Sequence, residues 1–552
     1  MGEDTDPKTL ISELLQEPFD RRTLFRRAAT LGGGMPALAA ILAACTSTPS
    51  EKTAPSERTK TVVVASGADA VTLDPGVSFD GQSPLLWRAA YDSLLEYDGG
   101  STNTVGSLAA SYEVSSDGLT YTFHLRPNVS FVDGEVLDSA AVKLNVERQQ
   151  AVKQGVTFAL FPLKKIETPD DSTVVMRLDS FNDGFLSAFA GNYTVKMISP
   201  KAITDHKGDW AQGFLRNNMA GTGPYILESY QQSDKAVFRK NPNYWRGWQG
   251  THFDQVIVLY VHEPATEQLQ LEQGQVDIAL FLTDDIIQSF LSSTDVTVTN
   301  DPSFNLFYLS FYCKSGPTSD VRVRQALSHG FDYDTYIGQI QKGLGAQRAH
   351  GPIPSNFTGY DPTTPQYDYD VERAKQLLAD AGYANGGFPI RLVYEHGYAW
   401  KPPLAELFQS NMRDLGIDVS IQPLSPSAWA GLLSNPDTAG PAFPVVWWPT
   451  LNTPFDYMWS LFHTDAQGTA GYNWGYYSNP KFDSLLYDAS AVSDPQERDA
   501  MYGQAQHMLV EDAPALFIME RDYHLPKRPD IEGFVFNGIY IETLNFYGLN
   551  RA

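Results

Sequence analysis

Apolar residues follow two rhythms along this chain, and both persist from residue 61 to the C-terminus. After Asp370, residues Val371, Ala374, Leu377, Leu378 and Ala381 return at three- and four-residue spacing. That spacing predicts an amphipathic helix with Asp370 as its N-cap and Gly382 as its stop. Leu404, Leu407, Phe408, Met412 and Leu415 repeat the pattern ahead of Gly416. Asn479-Pro480 and Asp494-Pro495 each join a capping side chain to a proline suited to the first helical turn. The helices they open are predicted to bury Phe482, Leu485 and Ala489, then Met501, Ala505 and Met508. The second rhythm belongs to strands. Thr61-Val62-Val63-Val64 predicts the first ordered strand. Tyr112 to Leu125 predicts a hairpin that turns at Asp117-Gly118, with the β-forming Tyr121, Thr122 and Phe123 on its return arm. Helices and strands mix throughout with no internal repeat, so the fold class is α/β.

Ahead of residue 61 the rhythm stops. Residues 46–60 are polar and contain proline; they cannot bury a core and read as a flexible tether. Residues 1–45 read as a leader. The paired arginines Arg21-Arg22 and Arg26-Arg27 precede a moderately apolar run, the pattern of a twin-arginine export signal. Three glycines and a proline break that run, which is too short for a membrane span of roughly 20 apolar residues. Leu42-Ala43-Ala44-Cys45 has the small residues of a lipoprotein cleavage site, with Cys45 as the lipidated first mature residue. The competing reading is a short helix with one buried cysteine. The expectation is an exported protein facing the periplasm or cell exterior, held to the membrane only through lipid on Cys45.

Charge and cysteine usage narrow the class further. Of 552 residues, 42% are hydrophobic and 12% aromatic, enough for a large core. About 500 residues remain after the leader, a length suited to two or three domains. The net charge of −25 repels phosphate backbones and anionic lipid, which argues against nucleic acid as a partner. One cysteine, Cys313, remains after Cys45, so no internal disulfide is available; following the apolar run Leu306 to Tyr312, it reads as an inert buried thiol.

The chain offers little that resembles catalytic chemistry. No two histidines stand three to five residues apart, and there is no Walker loop or Gly-x-Ser-x-Gly elbow. Gly221-Thr222-Gly223 lacks the third glycine of a dinucleotide fingerprint. Ser478-Asn479-Pro480-Lys481 has the Ser-x-x-Lys spacing of penicillin-binding enzymes without a Lys-Thr-Gly partner. The proline suits a helix start with Asn479 as its cap, which is the reading preferred over a catalytic one. The adjacent Asp284 and Asp285 read as solvated. The expectation is a non-enzyme with no cofactor and no metal site.

Several segments, taken in order, carry a resemblance. Leu73-Asp74-Pro75, Tyr91-Asp92-Ser93-Leu94, and the run from Leu108 through Phe123 to Gly134 come first. Gly221-Thr222-Gly223-Pro224-Tyr225, the run Arg239 to Trp245, Asp320 to Ala326, and Ala374 to Tyr383 follow. Together they resemble the oligopeptide/dipeptide-type solute-binding proteins of ABC importers, family 5, over nearly all of residues 61–545. The resemblance implies a two-lobed fold of the periplasmic-binding-protein type (class II) with an additional domain. Lobe I would comprise residues 61–105, 222–316 and 520–552, the additional domain 106–221, and lobe II 317–519. It also implies a monomer that delivers a peptide or similar solute to an ABC permease and its ATPase. Arg322 and Arg324 are expected to pair with carboxylates on a helix surface.

A binding protein of this kind needs a desolvated cleft with aromatic walls and a few polar anchors. Trp447 and Trp448, followed by Thr450, form the first candidate segment. Neighbours on a strand point to opposite faces, so one tryptophan is expected in the core and Trp448 is favoured for the cleft. By resemblance, the family's peptide binders carry an aspartate at the position of Thr450, where it pairs with the ligand's free amino group, and a second aspartate at Thr453. Both carboxylates are missing here; Asp456 is the nearest substitute, if the loop is shifted. The second candidate segment contains Asn473, Trp474 and Tyr476, and the third Phe79, Asp80 and Gly81. The ligand class stays open between a peptide, a sugar and a nickel complex. The rival from another class is a surface serine acylase or peptidase using Ser478 and Lys481.

Overall fold

The computed structural model describes residues 59–552 except 79, 438, 439, 541 and 542. The leader, Cys45, most of the tether (46–58) and Phe79 therefore lie outside the described residues.

Thr61–Ser66 is buried along its whole length because it is the inner strand of a seven-stranded mixed sheet. It pairs in parallel with Gln255–Tyr260 on one side and Ile278–Ala279 on the other. A strand covered on both faces reads as a continuous apolar run, which is the sequence of Thr61-Val62-Val63-Val64. A four-stranded antiparallel sheet runs Gln347–Arg348, Ala515–Glu520, Leu306–Ser310, Phe443–Trp447. Leu306–Ser310 is placed in the first lobe by the sequence reading, yet here it pairs with Ala515–Glu520 and Phe443–Trp447. A third sheet, four antiparallel strands within residues 109–178, contains the hairpin. Its arms are Ala109–Val114 and Thr120–Leu125, and Gly118 sits between them at φ +68°, where a side chain would be strained.

The capped helices form where the apolar spacing puts them. Asp370 caps Val371–Asp380 and Asn479 caps Pro480–Ser490, each accepting a backbone N–H in the first turn. The buried face of the second is rotated from the expected one: Leu486, rather than Leu485, is buried between Phe482 and Ala489. Pro495–Asp512, capped by Asp494, likewise buries Tyr502, Ala505 and Leu509, leaving Met501 and Met508 half-covered. In both helices a wide apolar stripe let two neighbouring faces compete, and packing chose between them.

The family-like motifs are joined to one another in space. Asp92 accepts from the Thr222 hydroxyl at 2.9 Å, Trp245 Nε1 at 3.0 Å and the Tyr244 hydroxyl at 3.3 Å. Asp74 pairs with the fully buried Arg148 at 2.5 Å. Arg324 corrects its expectation: it is buried and donates to the carbonyls of Thr318, Ser319, Asp512 and Ala513, whereas Arg322 does pair with Asp320. Asp284 also departs from a solvated role, since it accepts from Arg521 at 2.9 and 3.0 Å. Among the described residues no helix is long and apolar enough to cross a membrane.

Candidate functional site

Two neighbouring cavities, of about 290 Å³ and about 1060 Å³, share Trp447, Thr450, Tyr472 and Trp474 in their linings. Residues 80–82 and Tyr193 contribute to the smaller chamber from the N-terminal part of the chain. Asp80 is fixed there by local geometry. One of its oxygens accepts the backbone N–H groups of Gln82 and Ser83 at the start of helix Ser83–Ala90, and the other accepts from Ser78 at 2.6 Å. The Tyr193 hydroxyl donates to the Asp80 carbonyl at 2.8 Å, tying this loop to a distant segment.

The remaining lining of the smaller chamber comes from residues 395–474. Trp447 ends strand Phe443–Trp447 and Trp448 lies just past it. Both are half-buried and both line the chamber, their rings stacked with centroids 6.5 Å apart. The expected split of one tryptophan to the core fails because the strand stops at Trp447, so pleat alternation no longer applies to its neighbour. Tyr472 packs on Trp447 at 4.8 Å, and Trp474 packs on Trp429 at 5.1 Å.

Thr450 lines both cavities. Its backbone N–H donates to Asp456 Oδ2 at 2.7 Å and its hydroxyl donates to Oδ1. Asp456 is fully buried, and that burial pushes its carboxyl up to about 6 despite these bonds. It is therefore committed to Thr450 and contributes nothing to either lining. Thr453 caps helix Pro454–Phe462 and donates to Asp183 at 2.6 Å.

The structure does not bring all the expected residues to these cavities. Asn473 is fully buried, and its amide donates to the carbonyls of His463 and Tyr477 while its oxygen accepts from Tyr477 N–H. Tyr476 is turned away at φ +53°, donating to the Leu433 carbonyl. Both hold the 472–478 loop in place. Of that segment only Tyr472 and Trp474 reach the chambers. Ser478 and Lys481 show no arrangement for acyl chemistry: the Ser478 oxygen accepts from Thr464 at 2.9 Å, and Asn479 caps the helix that contains Lys481. Burial pushes the Cys313 thiol up to about 11, and the thiol donates to the Phe311 carbonyl. Among the described residues no three His, Cys, Asp or Glu side chains converge in a way that would hold a metal ion.

Sequence reasoning missed the most unusual pair. Glu395 ends strand Pro389–Glu395, Lys401 begins helix Lys401–Arg413, and both line the smaller chamber. Lys401 Nζ meets Glu395 Oε1 at 2.5 Å with the lysine side chain almost wholly buried. Burial pulls the ammonium down to about 8, and Glu395 opposes that pull. The rings of Tyr398 and Trp429 lie 4.4 and 5.1 Å from Nζ. A lysine in the first turn of a helix opposes the helix dipole. That local conflict, within the aromatic run Tyr394 to Trp400, was the available signal.

The chain is 32% identical to the probable D,D-dipeptide-binding periplasmic protein DdpA of Escherichia coli (strain K12), over 89% of this chain and 94% of that protein. The structure of DppA from Helicobacter pylori in complex with peptide STSA matches it with a TM-score of 0.79 at 24% identity, covering 90% of this chain and 100% of that one. NikZ from Campylobacter jejuni in complex with Ni(L-His) gives a TM-score of 0.80 at 20% identity, covering 89% and 100%. These two likenesses establish the shared periplasmic-binding-protein fold. Residues 103–469 match the bacterial extracellular solute-binding proteins, family 5 Middle, and the chain belongs to that family of solute-binding proteins.

Proposed function

We propose that this protein captures small peptides in the paired chambers and delivers them to an ABC permease driven by its ATPase. The observation that carries this reading is the smaller chamber. Residues some 300 positions apart in sequence, Asp80 to Gln82 and Glu395 to Trp474, meet around it with four tryptophans among its lining residues. Aromatic walls with a few polar groups are what a desolvated solute site requires. The 32% identity to a probable D,D-dipeptide-binding protein supports a peptide over a sugar or a nickel complex.

In this reading the seven-stranded sheet belongs to one lobe and the sheet containing Phe443–Trp447 to the other. The additional domain is 106–221, and closure of the lobes encloses the solute. The site comprises Asp80, Gly81, Trp447, Trp448, Thr450 and Trp474, joined by Tyr472, Trp429, Glu395 and Lys401. No bond of the solute is broken. Lipid on Cys45 would tether the monomer outside the membrane. Small-angle scattering tests the capture step: a dipeptide pool should reduce the radius of gyration, and an unchanged profile would count against it. Labelling with radioactive palmitate, lost in Cys45→Ser, tests the tether.

A further inference from the structure

We propose that Glu395, backed by Lys401, accepts the free amino group of the bound solute, so that the chamber selects compounds carrying a primary ammonium. The inference rests on the reading that the chamber holds a small solute, and it names the group that is recognised.

The carboxylates expected for an amine are gone. Thr450 and Thr453 replace them, and Asp456 is occupied by Thr450. Asp80 spends its oxygens on Ser78, Gln82 and Ser83. Glu395 is different. Its Oε1 takes the Lys401 ammonium, while Oε2 is buried without a hydrogen-bond partner. A buried carboxylate oxygen left unbonded is costly, and an incoming N–H relieves that cost.

The charge balance favours a cation. Asp80, Glu395 and Lys401 are the charged side chains of the smaller chamber, and they leave an excess of one negative charge. Ring faces of Trp447, Trp448 and Tyr472 add attraction for an ammonium. Trp429 and Trp447 each carry a buried indole N–H without a partner, and both line this chamber. These are donors for carbonyl oxygens next to the amine. In the larger chamber Lys153 is the one charged side chain among the described lining residues, which suits a solute whose far end is anionic. Ammonium, neighbouring carbonyl and distal carboxylate together describe a short peptide with a free N-terminus.

Titration calorimetry with D-Ala-D-Ala and L-Ala-L-Ala, each free and N-acetylated, tests this on the full-length protein. Acetylation should weaken binding of the preferred isomer about 100-fold, the scale of a lost charge-assisted hydrogen bond. Glu395→Gln should lower affinity for the free peptide to the acetylated level and leave the acetylated peptide within about threefold. Equal binding of free and acetylated forms, or a Glu395→Gln variant that keeps the full discrimination, would overturn the anchor while leaving peptide capture standing. Binding of neither form would overturn peptide capture and the anchor with it. The acetylation arm uses the unaltered chain, and Glu395→Gln with Lys401→Met supplies a neutral pair should the single variant fold poorly.

Discussion

Asp456 receives both the backbone N–H and the hydroxyl of Thr450, so the buried carboxylate and the threonine that lines both chambers form one closed unit. Asp456 has no exposed surface, and burial raises its carboxyl to about 6. Thr450→Asp would set a second carboxylate against the first, where like charges cannot both ionise cheaply. Thr450→Asp should therefore lose about 2–4 kcal/mol of stability at pH 8. The loss should shrink at pH 5, where one of the two is protonated. Urea unfolding at the two pH values measures this, and an equally stable variant at pH 8 would refute it.

Trp448 should matter to binding through its ring. Trp447 and Trp448 stack and present two indoles to one chamber. Trp448→Ala should weaken dipeptide binding by about 10–100-fold, and Trp448→Phe by less than about tenfold, because the ring face survives. For Trp447 the order should differ. Its indole N–H is buried without a partner and is available to a carbonyl oxygen, so Trp447→Phe should cost more than Trp448→Phe. Calorimetry on the three variants ranks the effects; equal losses for the two phenylalanine variants would argue that Trp447 makes no polar contact.

Glu267 makes the pH dependence of folding testable away from the site. It is buried, accepts Leu280 N–H at 2.9 Å and Phe281 N–H at 3.4 Å, and leaves Oε2 unbonded. Burial raises its carboxyl to about 7 from an ordinary 4.5. A raised carboxyl means the folded state holds the proton where the unfolded state has released it. The group's favourable contribution is thus full below pH 4.5 and lost as pH rises through 7. The total swing is about 3 kcal/mol by linkage, at 1.36 kcal/mol per pH unit. Glu267→Gln should flatten the stability profile between pH 4.5 and 7 and be more stable than the parent chain at pH 8. A variant with the parent's pH profile would reject this assignment.

The sequence makes the architecture legible wherever one residue has one job. Asp370, Asn479 and Asp494 all cap the helices their positions predict, because a side-chain acceptor ahead of an apolar stripe has few other uses. Asp117-Gly118 turns its hairpin because few other residues take a positive φ there. The site is less legible because lining a chamber is decided by tertiary packing. Asn473 looks like a polar anchor beside a glycine, yet its amide closes its own loop. Glu395 and Lys401 look like ordinary charges on either side of a helix start, and only the fold buries them together. Trp447 and Trp448 stand out in the sequence as a pair to be split between core and cleft, but the end of the strand, which local alternation cannot locate, sends both to the same chamber.

Asp74 and Arg148 provide the last prediction. Arg148, on helix Ser139–Val152, is nearly inaccessible, and its NH2 group meets Asp74 Oδ2 at 2.5 Å. Its Nε donates to the Trp210 carbonyl at 2.8 Å, and Asp74 Oδ1 accepts Gly76 N–H at 2.9 Å. One pair thus joins the loop after the first strand to a helix and a loop of the 106–221 segment. Replacing the whole pair by apolar groups need not be costly, but removing one partner strands a buried charge. Asp74→Asn should cost about 3–5 kcal/mol, and Asp74→Leu with Arg148→Leu should cost less than the sum of the single changes. Because Asp80, Gly81 and Gln82 follow six to eight residues later, Asp74→Asn should also weaken dipeptide binding through displacement of that loop. A double-mutant cycle in urea with calorimetry on each variant separates the two effects; strictly additive stabilities would show that the ion pair is not a unit.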